Sequence, residues 1–386
     1  MVEDWRLGGF GLYIHWPFCE AKCPYCDFNS HVSRSIDQDA WRDAYLSALR
    51  AYGAETPDRV LNSVYFGGGT PSLMDPGVVA SVLDELPEHW RLANDLEVTL
   101  EANPSSVEAA RFSGYQNAGI NRVSLGVQAL NNEDLRRLGR LHNVETALKA
   151  LDIARNTFDR VNFDLIYARQ NQSLDDWAME LEYALSFLPD HLSLYQLTIE
   201  QGTAFGELFN RGKLIGLPEE DLGADMFEVT ADLTNAAGLP AYEVSNHAQV
   251  GQESRHNLLY WRGGDYLGIG PGAHGRLTLN GHRHATTTSL VPNDWLRAVS
   301  NGGHGECSRE VLSSRDHLGE YIMMSLRTLE GLDLRRAENI VGGVINYNEI
   351  NRLMDIGMLE RTSDQVIVTP RGRGVLNAVI MALLPD

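Results

Sequence analysis

Six short β-rich runs, at residues 12–15, 63–66, 96–100, 122–127, 161–166 and 191–197, alternate with stretches whose apolar residues fall at helical spacing. Within residues 39–51, for example, Trp41, Ala44, Tyr45, Ala48 and Leu49 fall on one helical face. Alternation of this kind predicts an α/β fold. Parallel neighbours need a crossover, and the crossover lays a helix on the sheet. The loops that leave the C-terminal ends of such strands gather at one rim, so chemically active residues at those ends point to a site. Six units are too few to close an eight-stranded barrel.

The texture changes after Asn301-Gly302-Gly303-His304-Gly305, which predicts a first unit of residues 1–300 and a second of residues 301–386. In the second, a helical stretch at 318–329 leads to Leu353, Ile356, Met358 and Leu359. Val366-Ile367-Val368 and a last helix after Thr369-Pro370 follow, an order that predicts a winged-helix-like cap. Such shapes often bind DNA. Here 32 Lys and Arg against 52 Asp and Glu, a formal charge of −20, leave no basic face to displace counterions from phosphates. The same charge opposes stable docking on anionic lipid and allows transient membrane contact at most. The opening Met1-Val2-Glu3-Asp4-Trp5 lacks the charged-then-apolar order of a signal peptide, and no apolar run reaches about 18 residues. A soluble, cytoplasmic protein is expected.

Directly after the first β run, Cys19, Cys23 and Cys26 form a C-x3-C-x2-C array. Clustered thiols suit a reducing compartment. Three thiolates at this spacing can hold a [4Fe-4S] cluster with one iron left open to an exogenous molecule. A zinc site would need His15 or His31 as fourth ligand, and three incidental thiols remain a further reading. Cys307, the only other cysteine, reads as a structural or incidental thiol. More polar groups stand where the runs end: Gly67-Gly68-Gly69-Thr70-Pro71, Glu101-Ala102-Asn103-Pro104, Gly126-Val127-Gln128 and Asp164. Three glycines let backbone approach a ligand more closely than any Cβ permits, or make a tight strand–helix turn.

The array and the glycine triplet resemble those of the radical S-adenosylmethionine (SAM) superfamily, and the six units match its partial (β/α)6 barrel. The resemblance implies a [4Fe-4S] cluster whose open iron is capped by SAM. By similarity to the oxygen-independent coproporphyrinogen III oxidase group of that superfamily, Tyr13, Tyr25, Gly68, Gly69, Thr70, Glu101, Gln128, Arg140, Asp164 and Gln196 would contact SAM or the cluster. Glu101 would accept from the amino or ribose groups, Asp164 from the ribose hydroxyls, and Arg140 would pair with the carboxylate. Within Arg136-Arg137-Leu138-Gly139-Arg140, Arg140 also reads as a solvated helix arginine. The formal G-x-G-x-x-G of residues 270–275 and their neighbours follows no first strand and opens no helix, so it is no dinucleotide fingerprint. The resemblance places Ile269 or His274 of that loop near the adenosine. One departure follows Tyr167, where Ala168-Arg169-Gln170 replaces the group's usual Gly-Leu-Pro.

Two features separate subgroups. The oxidases extend the array by a further cysteine, where this chain has Phe28, and they carry a longer segment before the first strand than the twelve residues preceding Tyr13. His256-Asn257-Leu258-Leu259-Tyr260-Trp261 resembles the HNxxYW motif of HemW-type haem chaperones. On its own the segment also reads as an aromatic cluster packed around a hydrogen-bonded histidine. The resemblance implies haem binding and delivery of haem to apo-proteins such as respiratory enzymes. His256 would be iron ligand or attachment point, with Tyr260 and Trp261 beside the haem. His247, His282 and His284 are further candidate ligands, and a homodimer is possible. The rival reading is an oxygen-independent coproporphyrinogen III oxidase, for which no catalytic residue is assigned. An electron-transfer iron–sulfur protein would leave the strand-end set unexplained.

Overall fold

The structure, a computed structural model, describes residues 3–33, 35–343 and 345–385. Each β run forms a strand: β1 (Phe10–Trp16), β2 (Val60–Gly68), β3 (Arg91–Ala102), β4 (Arg122–Gln128), β5 (Arg160–Tyr167) and β6 (His191–Gln196). They lie side by side in chain order, all parallel. One face of β1 buries Phe10, Leu12, Ile14 and Trp16. Trp16 meets Trp41 and Tyr45 of helix Gln38–Glu55 there, at ring-centroid distances of 5.7 and 6.5 Å. The opposite face of the sheet is a polar layer, in which Tyr65 bonds to Glu101, and Ser124, Asn162, Asp164 and Ser193 form a second bonded group.

The sheet extends beyond the six expected strands. β7 (Asn246–Ala248) runs antiparallel to β6, and β8 (Asp265–Ile269) lies parallel to β1 on its other side. β9 (His274–Leu279), β10 (His282–Thr288) and β11 (Glu306–Val311) continue it antiparallel. The two edge strands among the described residues, β7 and β11, do not pair, so the sheet is open. β11 carries this sheet to Val311, past the texture change at residue 300. The glycine-rich loop joins helix Pro292–Ser300 to β11 within the same sheet.

A separate hydrophobic core contains Leu318, Tyr321, Leu326, Leu332, Ile350, Val366 and Ile380. Around it come helix Ser314–Ser325, strand Leu332–Asp333, helices Leu334–Val341 and Tyr347–Asp355, and the hairpin Leu359–Thr362 with Gln365–Val368. The hairpin and Leu332–Asp333 form one three-stranded sheet, which is the winged-helix order expected. Among the described residues no helix is long and apolar enough to cross a membrane.

Candidate functional site

The cysteine segment leaves β1 and lies across the end of β2. Gly69 N–H donates to the Trp16 carbonyl at 2.7 Å and Thr70 N–H to the Phe18 carbonyl at 2.8 Å. A Cβ on Gly69 would stand 2.7 Å from Phe18 O and 3.1 Å from Cys19 Sγ, so a side chain there would expel the segment. Gly68 has φ 112°, and its Cβ would enter the His15 ring. The triplet is therefore glycine largely because the cysteine segment rests on it. From below, the loop after β8 supports the same segment: Gly270 and Gly272 have φ 107° and 79°, and Asn29 Nδ2 donates to the Pro271 carbonyl at 2.9 Å. That is the structural use of the glycine-rich run. Neither Ile269 nor His274 of this run reaches the cavity.

Above the triplet opens a cavity of about 330 Å³ at the C-terminal rim of β1–β6, within the size range of small-molecule cofactor sites. Cys19, Cys23 and Cys26 line it together with Tyr25, Gly68, Gly69, Thr70, Glu101, Gln128, Arg140, Asp164 and Gln196. Phe28 stands at its edge and is 56% exposed. Thr70 Oγ1 donates to Cys19 Sγ at 3.4 Å, and Arg140 Nη1 to Cys23 Sγ at 3.2 Å. Burial pushes the Cys19 and Cys26 thiols up.

Arg140 is no solvated helix residue. Helix Asn132–Arg137 ends before it, and Gly139 (φ 68°) turns the chain so that the guanidinium faces the thiols. Its Nη2 donates to the Gly126 carbonyl at 3.0 Å and to Asn103 Oδ1. Its buried Nε has no hydrogen-bond partner among the described residues. Burial works against the charge, but Tyr25 and Cys23 outweigh it and raise the pKa.

Opposite stand two carboxyl groups. Glu101 Oε1 accepts from the Tyr65 hydroxyl at 2.8 Å and Oε2 from Gly68 N–H at 3.3 Å. Asp164 accepts from Ser124 Oγ at 3.1 Å and from Asn162 Nδ2 at 3.0 Å. Burial pushes their pKa values up to about 7 and about 6, so both would gain from a cationic or hydroxyl-bearing ligand. Gln128 reaches the cavity at φ 73°, where the β4–β5 register is irregular. The displaced backbone re-aims its side chain, as bulges beside functional sites do.

Tyr13 falls outside the cavity wall. It sits in the layer behind, its hydroxyl donating to His15 Nδ1 at 3.1 Å while His15 Nε2–H donates to the Asn29 carbonyl at 2.9 Å. His31 Nε2 faces Asn29 Oδ1 at 3.2 Å, so neither histidine turns to the thiols. His256 is buried against Tyr65, and both its ring nitrogens are bonded. Tyr260 bonds to His256, and Trp261 is half-buried, its Nε1 unpartnered among the described residues. Of the other histidines, His247 is buried, His282 is exposed and His284 is partly exposed. Sequence reading missed Ser124 and Tyr195, which also line the cavity. Their positions two residues apart from other inward residues on β4 and β6 were the available clue.

Residues 13–184 match the model of the radical SAM superfamily. The heme chaperone HemW of Escherichia coli K12 is 38% identical over 99% of this chain and 100% of its own length. The mitochondrial radical S-adenosyl methionine domain-containing protein 1 of Mus musculus is 37% identical, covering 97% of this chain and 87% of its own. Among solved structures, coproporphyrinogen III oxidase HemN from Escherichia coli superposes with a TM-score of 0.82 at 22% identity, over 97% of this chain and 90% of that one. That last likeness is one of fold.

Proposed function

The chain belongs to the radical SAM superfamily and, within it, to the family of the heme chaperones HemW; from that premise we propose a haem-binding chaperone on a [4Fe-4S]/SAM scaffold, delivering haem to apo-proteins such as respiratory enzymes. The residues around the cavity fit that cofactor pair. Cys19, Cys23 and Cys26 would hold three irons. Arg140, whose buried Nε is unpartnered among the described residues, would offset thiolate charge and meet a carboxylate. Glu101 would accept from an amino group or ribose and Asp164 from ribose hydroxyls, while Gly68–Thr70 and Gln128 shape the wall. When bound, the cluster supplies an electron at an iron with one position open to SAM. Tyr13 acts from behind the wall, and haem contact is not assigned to His256. A thiol cluster of this kind needs reducing conditions, so the cytoplasm is the proposed compartment.

The observation that carries this reading is the likeness to the heme chaperones through both cores, first strand to last helix. Phe28, where the oxidases carry a further cysteine, supports it. The test is an anaerobic haem titration of cluster-reconstituted protein, followed by absorbance and by transfer to an apo-haem protein. Saturable binding near one haem per chain, with transfer, is expected. Absence of saturable binding together with decarboxylation of coproporphyrinogen III would overturn the reading in favour of the oxidase.

A further inference from the structure

His256 lies in the first turn of helix Arg255–Trp261, which is held from β3: Glu97 Oε1 accepts from His256 N–H at 3.1 Å and Oε2 from Arg255 N–H at 3.2 Å. The imidazole is 1% exposed, and burial pushes its pKa down to about 3, so the ring is neutral. A neutral imidazole has one N–H and one lone-pair nitrogen. Both are engaged, Nδ1 with Ser63 Oγ at 2.9 Å and Nε2 with the Tyr260 hydroxyl at 2.7 Å. Its face lies against Tyr65, with centroids 4.9 Å apart and planes 20° from parallel, and Tyr13 packs on it at 6.4 Å. The hydroxyl of that same Tyr65 donates to Glu101 in the cavity.

We propose that His256 is a positioning residue of the cofactor cavity: pinned through its amide and both ring nitrogens, it fixes the Tyr65 ring, and the Tyr65 phenol fixes the Glu101 carboxylate that receives SAM. A ring tilt at Tyr65 moves its hydroxyl off the carboxylate, and a bond to a charged group weakens steeply with angle. The HNxxYW histidine thus serves SAM through Tyr65, on the same face of the sheet. This rests on the cavity's taking SAM, but not on haem binding.

The groups facing Glu101 are Tyr65, Asp164 and Arg122, with Tyr13, Tyr195 and Tyr260 around them. The Tyr65 bond favours the ionised carboxyl, so its loss shifts SAM binding to higher pH. The experiment is anaerobic equilibrium dialysis of SAM against reconstituted wild type, Tyr65→Phe, His256→Gln and the double variant between pH 5.5 and 8.5. Loss of a bond to a charged group predicts about tenfold weaker SAM binding for Tyr65→Phe at pH 7. His256→Gln should lose about three- to tenfold and shift the pH midpoint the same way, and the double variant should be no weaker than Tyr65→Phe by more than about twofold. Should His256→Gln fail to fold, Tyr260→Phe removes the Nε2 partner alone and should lose about two- to threefold. A folded His256→Gln with wild-type affinity and pH midpoint, or losses that multiply in the double variant, would overturn the proposal. Wild type that binds no SAM would instead overturn the reading of the cavity.

Discussion

At Glu101 the cavity holds a carboxyl group that burial alone would keep protonated well above its usual range. Because the folded pKa of about 7 exceeds the ordinary 4.5, the stability linked to it is full below pH 4.5 and is lost as pH rises through 7. That difference corresponds to at most about 3 kcal/mol, less where the open cavity admits water. Glu101→Gln is therefore expected to raise the melting temperature of cofactor-free protein at pH 8, to leave it nearly unchanged at pH 5, and to weaken SAM binding at both. Equal melting shifts at the two pH values would contradict the assignment. At Ala168 the chain takes φ 57°, a left-handed conformation that glycine adopts without strain. Ala168→Gly should stabilise by about 0.5–1 kcal/mol in denaturant titration. Arg169 explains why the loop tolerates the strain: buried, it pairs with Asp134 and Glu180 and donates to the Ile166 carbonyl. Strand-end polar residues such as Glu101, Gln128 and Asp164 were legible because they interrupt apolar runs. The partners of His256 were not legible, because a motif shows residue types, whereas its bonds to Ser63 and Glu97 cross about 190 and 160 residues of sequence.

The six parallel strands were legible because apolar residues recur at every second position of their runs, one face packing on the helices while the other carries the polar layer. β8 escaped notice because it opens on Asp265, a charge ordinarily read as surface. Asp265 is fully buried between Arg59 at 2.8 Å and Arg283 at 2.9 Å. A single sequence gives no sign of such long-range pairing. β3 shows how one element serves two places: Glu97 and Glu101, an even number of residues apart, point to the same face, one to helix Arg255–Trp261 and the other to the cavity. Burial raises the Glu97 pKa, but Arg122, Arg160 and the two helix amides outweigh it and hold the carboxyl ionised. Removing one member of a buried pair leaves the other charge uncompensated, so Glu97→Ala should cost about 3 kcal/mol. Denaturant unfolding reads this directly, and hydrogen exchange should show the amides of residues 255–261 losing protection first. Unchanged exchange there would contradict the anchoring role.

For the whole molecule, the two cores are tied by arginines. Arg336, in the C-terminal unit, grips Asp4 with two bonds of 2.7 Å and donates to the Gly263 carbonyl, and Arg276 pairs with Glu320 at 2.7 Å. The winged-helix order was readable from its hairpin, but these ties were not, because each joins residues distant in sequence. Arg336→Ala should cost about 2 kcal/mol, since Asp4 is partly exposed and retains some solvation, and limited proteolysis should cleave the junction faster. An unchanged digestion rate would mean that apolar packing alone holds the units together. SAM is proposed for the rim cavity and haem for a site elsewhere on the same chain. The most direct test is anaerobic equilibrium binding of both ligands to one reconstituted sample. One SAM and one haem per chain, bound together, are expected, with Glu101→Ala losing SAM and keeping haem. Mutual exclusion of the two ligands, or loss of both in that variant, would contradict it.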